Sequence, residues 1–192
     1  MSVLFYQFAL FFYRMAAQVA ALTNEKARLF IDGRNKLLEY VAGCLQFEKR
    51  PRIWLHAASL GEYEQAFPLL KALKIKYPNH AFIVTFFSPS GYVPIAKKAE
   101  HDYVFYLPLD HKKNSFQFIQ LLQPEAVFFI KYESWYFYLK YLNDLNIPTY
   151  LVSAIFNSNQ MVFKWYGGIF RRMLNCYSHI MVQDEQSKLL LH

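Results

Sequence analysis

At 192 residues the chain is long enough for one ordinary domain with a core of its own, plus an appendage. Hydrophobic residues make up 55% and aromatics 19%, more than an internal core of that size absorbs, so part of this surface is expected to meet another phase or partner. The net charge of +7 is scattered as Lys49-Arg50-Arg52, Lys97-Lys98, Lys112-Lys113 and Arg171-Arg172. That balance favours an anionic partner, while nucleic-acid binding would want basic residues on one face among exposed aromatics. Cys44 and Cys176 stand alone without a CxxC, which excludes a disulfide framework and suits a reducing compartment. The histidines are dispersed, with no paired ligands at helical spacing, so no metal site is expected. Neither GxGxxG nor a Walker loop occurs, and no cofactor is expected.

In chain order, residues 1–22, MSVLFYQFALFFYRMAAQVAAL, form an apolar segment about 30 Å long as a helix. Its polar residues Gln7, Arg14 and Gln18 fall within about 40° of one another on a helical wheel. Arg14 would be costly at the centre of a bilayer, and no basic region precedes the apolar run as in a secretory signal. The segment reads as a helix lying in a membrane interface, with Arg14 toward the headgroups; packing on the domain or on a partner chain is the alternative. Residues 23–50 read as a connecting helix, with a more polar helical stretch over 25–41 carrying Gly33-Arg34.

Residues 51–192 alternate strand-like and helix-like stretches. Apolar runs at 53–57, 82–87, 103–107, 126–131, 149–153 and 179–183 read as strands, and Pro51, Pro78, Pro124 and Pro148 stand just before four of them. Pro68 is expected to kink or split the first intervening helix. Six such units predict a Rossmann-like, doubly wound parallel α/β sheet with right-handed crossovers. Ligands of such sheets bind beyond the carboxyl ends of the strands, at the switch in strand order. The candidate substrate-binding residues are therefore Ser59 and Gly61, Ser88, Ser90 and Gly91, and Ser153 and Asn157. Lys131 and Glu133 lie in the loop after the fourth run.

The junction HAASLGEYEQ at 56–65 admits two accounts. Ser59-x-x-Glu62 matches a capping box, with Glu62 reaching back to the N-cap amide. Alternatively Glu62 is a catalytic base, with Gly61 leaving room for a ligand. The helix N-terminus stabilises the Glu62 anion, so a base there is expected to be ionised but weak. Such a group suits a reaction led by bond cleavage through an oxocarbenium-like state.

Five motifs in register then resemble one family: H-A-A-S-L-G-E at 56–62, F-S-P-S-G at 87–91, Y-L-P-L-D at 106–110, K-Y-E-S-W at 131–135 and V-Q-D-E at 182–185. They are similar to the N-terminal half of the 3-deoxy-D-manno-octulosonic acid (Kdo) transferases of lipid A biosynthesis, and the similarity extends to the apolar N-terminus and Gly33-Arg34. The resemblance implies the N-terminal half of a glycosyltransferase of the two-Rossmann-domain (GT-B) type, preceded by a hydrophobic helix. It implies transfer of Kdo from CMP-Kdo to a lipid A precursor with inversion, in lipopolysaccharide core biosynthesis, at the cytoplasmic face of the inner membrane.

By the same resemblance Glu62 is the general base. The family's M-E-T-E-x-W stretch, whose first Glu is assigned to transition-state stabilisation, reads Ile130-Lys131-Tyr132-Glu133-Ser134-Trp135 here. Lys131 then either contacts a phosphate or carboxylate, or Glu133 carries the role. Without ligand, Glu133 would be a helix-start acid and Trp135 a packing residue. The family continues into a donor-side domain holding most CMP contacts, so the chain is expected to be an acceptor-side half, inactive by itself. The expected partners are the lipid A precursor, CMP-Kdo and the membrane surface. A non-catalytic, membrane-peripheral module for anionic lipids is the alternative. An epimerase-like reading on Tyr136 and Lys140 lacks its glycine turn.

Overall fold

The computed structural model describes residues 2–98 and 101–191, so Met1 and His192, the outer limits of the expected segments, lie outside it. Each apolar run is a strand: β1 (Arg52–Ala57), β2 (Ala81–Phe86), β3 (Tyr103–Tyr106), β4 (Pro124–Ile130), β5 (Thr149–Ala154) and β6 (His179–Val182). All pairings are parallel, in the order β3-β2-β1-β4-β5-β6. This is the doubly wound α/β sheet expected. Its order reverses between β1 and β4, and the crevice beyond their carboxyl ends is the switch point.

The helices are α1 (Val3–Ala20), α2 (Glu25–Asp32), α3 (Leu37–Leu45), α4 (Leu60–Lys76), α5 (Pro89–Ala96), α6 (Lys112–Leu122), α7 (Tyr136–Asp144), α8 (Gly168–Leu174) and α9 (Glu185–Leu191). The central strands are covered on both faces, which is why they read as continuous apolar runs. Side chains still alternate along them. Trp54 packs with Val41, Phe118, Phe129 and Tyr138 on one face, while Ile53, Leu55 and Ala57 pack with Tyr63, Ala66 and Leu70 on the other.

Two local expectations are corrected. The stretch 25–41 is not one helix: α2 ends near Gly33, and Lys36 takes a left-handed φ of 51° before α3. A Cβ on Gly33 would fall 2.1 Å from the Tyr106 ring, so the chain approaches β3 as only glycine allows. Arg34 then turns inward and donates to the carbonyls of Leu107 (2.9 Å), Phe30 (2.9 Å) and Phe87 (2.7 Å). Its guanidinium lies 3.9 Å from the Phe30 ring centre, and burial lowers its pKa to about 10. Gly33-Arg34 is thus a clamp on the ends of β2 and β3. Nor does Pro68 split α4, which runs through it. Pro68 and Glu64, whose carbonyl loses its helical donor, both lie on the exposed face, where water can take the bond.

The N-terminal helix is long and apolar enough to cross a membrane by length and composition alone. Tyr6 is its one buried residue. The Tyr6 hydroxyl donates to Asp110 (2.6 Å), which also accepts the Ser115 hydroxyl (2.8 Å) and the amides of Phe137 (3.0 Å) and Tyr138 (3.1 Å). Burial raises the Asp110 carboxyl, against the pull of those donors. Leu4, Phe5, Phe8, Phe12 and Val19 stand outward, each at least 61% exposed. Gln7, Arg14 and Gln18 instead line a cleft of about 710 Å³ shared with the α2–α3 turn and the β3–α6 loop. The apolar face of α1 is therefore the one that needs a cover.

Candidate active site

At the end of β1 the chain passes Ala58 and enters α4 through Ser59, whose extended backbone (φ −142°) makes it the N-cap. Ser59 and Glu62 form the expected capping box, the Ser59 amide donating to Glu62 Oε2 at 3.0 Å. Glu62 is half-buried. Its carboxyl is raised above the ordinary Glu value, first by burial and then by the charge of Glu133. The amides of Ala58 and Ser59 and the His56 ring oppose this without overcoming it. The expectation of a weak base is thus reversed, because loss of water outweighs the helix dipole. Gly61 is exposed, and a Cβ built on it would meet nothing within 4 Å, so the first turn of α4 is open to a ligand.

On the other side of the switch point β4 ends in Lys131, held at a left-handed φ of 67°. Its amide still donates to Val152 at 2.8 Å. The turn brings Glu133 back into the protein, where it is 6% exposed. Glu133 does not cap α7: the Tyr136 amide of that helix goes to the Tyr6 hydroxyl, and those of Phe137 and Tyr138 go to Asp110. Its carboxylate Oε2 instead accepts the Trp135 indole N–H and lies 3.3 Å from His56 Nε2. Its backbone carbonyl accepts the Tyr177 hydroxyl at 2.7 Å. Trp135 packs against Phe87 with ring centres 4.8 Å apart and planes tilted by 38°, tying this loop to the end of β2.

His56, fully buried, joins the two sides. The parallel register sets it beside Thr85 of β2 and Phe129 of β4. Thr85 Oγ1 accepts the Trp54 indole N–H at 2.8 Å and lies 2.8 Å from His56 Nδ1. Sequence reading quoted His56 but gave it no role, and passed over Thr85. The available signal was a polar residue inside each of two adjacent buried runs.

The remaining candidates divide. Ser88 caps α5, and its hydroxyl pairs with that of Ser90 at 2.9 Å, on the rim next to Phe87. Gly91 is a packing residue, since a Cβ there would fall 2.2 Å from the Phe86 ring. Ser153 lies at a left-handed φ of 59° where the β5–β6 register slips. Asn157 is exposed, and its side chain accepts the Asn159 amide at 3.1 Å. Among the described residues no contact joins Asn157 to Glu62 or Glu133. Lys131 and Glu133 also border a cavity of about 180 Å³ with Leu151, Phe156 and Val162. No group of three or more potential metal ligands occurs among the described residues.

Comparison with known proteins places these features in a family. The family described as 3-deoxy-D-manno-octulosonic-acid transferase (kdotransferase) matches residues 18–192. The 3-deoxy-D-manno-octulosonic acid transferase of Haemophilus influenzae is 29% identical over 138 residues, 71% of this chain and 32% of that protein. That of Aquifex aeolicus is 33% identical over 84 residues, 43% of this chain and 23% of the relative. For Chlamydia muridarum the identity is 29% over 116 residues, 57% and 26% of the two chains. The chain thus spans about a third or less of the relatives it matches. With the family match running through α2 to α9 and both acid-bearing loops, the chain belongs to the 3-deoxy-D-manno-octulosonic acid transferase family.

Proposed function

We propose that this chain is the acceptor-side part of a glycosyltransferase that moves Kdo from CMP-Kdo to a hydroxyl of a lipid A precursor, inverting the anomeric carbon. The observation that carries the reading is Glu62: a half-buried carboxylate at the switch point, raised above the ordinary Glu value, beneath an open helix start. Glu62 takes the proton of the acceptor hydroxyl as that oxygen bonds the anomeric carbon and CMP departs with the bonding pair of the C–O bond. A carboxylate raised by loss of water accepts a proton more readily than an ordinary surface carboxylate. Ser59, Gly61, Ser88 and Ser90 meet the acceptor sugar, Lys131 meets an anionic group of the substrates, and Glu133 holds the far wall. Ser153 lies further along the strand ends. Most donor contacts belong to sequence that the relatives have and this chain does not cover, so the chain alone carries out no transfer.

The exposed apolar face of α1 supports attachment in the interface of the inner membrane at its cytoplasmic face, which brings the switch point to a lipid acceptor. The decisive measurement is release of CMP from CMP-Kdo by this chain joined to its donor-side part. Release that depends on added lipid A precursor is expected, and none from the 192-residue chain alone. Lipid-independent release, or none from the joined protein, would sink the reading. Deleting residues 3–22 should move the chain from liposomes to the soluble fraction. If the shortened chain still sediments with vesicles, the anchor lies elsewhere.

A further inference from the structure

His56 is fully buried in the middle of the sheet, on the strand that leads to Glu62. A histidine walled by Trp54, Phe129 and Trp135 is an expensive way to fill space, since each ring nitrogen needs a partner. Nδ1 has one in Thr85 at 2.8 Å. Thr85 Oγ1 already receives the Trp54 indole proton. The Glu133 carboxylate near Nε2 can only accept, so the ring proton is assigned to Nε2, and Nδ1 then accepts the Thr85 hydroxyl proton. Nε2 has no aligned hydrogen-bond partner, yet it lies 3.3 Å from Glu133 Oε2, in a pair where both side chains are at most 5% exposed.

We propose that His56 is a positioning residue for the reaction: its Nε2–H holds the Glu133 carboxylate in place beside Glu62, with Thr85 and Trp54 fixing the ring tautomer. The inference rests on the glycosyl-transfer reading for its catalytic consequence but not for its geometry. The titratable groups around the ring are Glu133 from the β4–α7 loop and Glu62 from α4; β2 contributes Thr85, and β4 contributes Phe129. The chain of contacts runs Trp54, Thr85, His56, Glu133, Trp135, and it spans the strand pair at which the sheet order reverses.

The test needs no substrate in its first arm. Long-range proton–nitrogen correlation spectra of the 192-residue chain, with the His56 signal identified by its loss in His56→Gln, report the tautomer directly. The Nε2–H form is expected, with Nε2 shifted by Glu133→Gln and the tautomers redistributed by Thr85→Val. An Nδ1–H ring, or an Nε2 signal indifferent to Glu133→Gln, overturns the proposal.

The second arm uses the joined, active enzyme. His56→Leu should lower kcat by about 10²-fold with KM little changed, as misplaced catalytic groups do. His56→Gln, which restores an N–H donor at similar reach, should recover most of the loss at a similar melting temperature. Equal losses in Leu and Gln would reduce His56 to a packing residue. If the joined wild-type enzyme transfers no Kdo, the glycosyl-transfer reading fails and the spectra alone decide on the His56–Glu133 bond.

Discussion

The β1–α4 and β4–α7 loops each deliver a carboxylate to the same crevice, and they do so by opposite means. The first is local and regular: Ser59 caps, Glu62 closes the box three residues on, and no residue of the loop needs a left-handed backbone. The second is irregular and held from outside. Lys131 is left-handed, and α7 has no local side-chain cap and takes its cap from distant Asp110. Glu133 is fixed by Trp135 and by Tyr177, which lies between α8 and β6. A cap that serves its own helix leaves its acid half in water and able to exchange protons. An acid freed from capping can be buried against donors from elsewhere in the fold. The pair therefore separates into a half-buried carboxyl raised by burial and by its neighbour, and a buried one held by Trp135 beside His56.

The sharpest way to break this distinction is Glu62→Gln in the complete enzyme. A glutamine keeps the hydrogen bond to the Ser59 amide, so a purely structural Glu62 would lose little turnover. A base would lose roughly 10²–10⁴-fold in kcat with much less change in acceptor binding. The large loss is expected, and retention of more than about a tenth of the turnover would return Glu62 to the role of a cap.

Next in size is Trp135→Phe, which keeps the packing on Phe87 but removes the indole proton from a buried carboxylate. It should cost about 1.5–3 kcal/mol in denaturant unfolding, the range for a hydrogen bond to a charged group. A change below about 0.5 kcal/mol would mean that Glu133 is held by other donors.

A smaller effect separates the two backbones. Lys131→Val should destabilise by about 1–2 kcal/mol, because a β-branched residue resists φ near 67°. Lys131→Gly should be neutral or slightly stabilising. Equal losses in both would show that the lysine side chain, not its backbone angle, stabilises the loop.

The smallest effect is in pH dependence. Glu62 has a raised carboxyl in the folded protein and an ordinary one, near 4.5, when unfolded. Between those two values the folded state holds more protons, so this group's contribution to stability falls as pH rises through that window. Glu62→Gln removes the penalty. The melting temperature of the variant relative to wild type should therefore rise as the pH climbs above the ordinary Glu value of 4.5. A difference that falls with pH would mean that the capping amides dominate and that the carboxyl is lowered.

Much of this was legible before any coordinates. Apolar run length and the prolines before the runs placed all six strands, because strands buried on both faces leave a continuous apolar signal. The capping box was legible for a similar reason: its partners are three residues apart, so no tertiary contact is needed to form it. The family motifs marked both acid loops. The break between α2 and α3 was not legible, because the close approach of Gly33 to the Tyr106 ring is made to a residue some seventy positions away in sequence. Nor was the cap of α7 by Asp110, or the orientation of α1 with its polar stripe inward, since a helical wheel gives a stripe but not its direction. His56 shows the division most plainly. Its type and its place in an apolar run are in the sequence, but the parallel register of β1 with β2 and β4 is what sets Thr85 on one nitrogen and leaves the other facing Glu133. Local hydrogen bonding and hydrophobic periodicity are properties of neighbours along the chain. Which two carboxylates share a crevice depends on strand order, and only the folded sheet decides that.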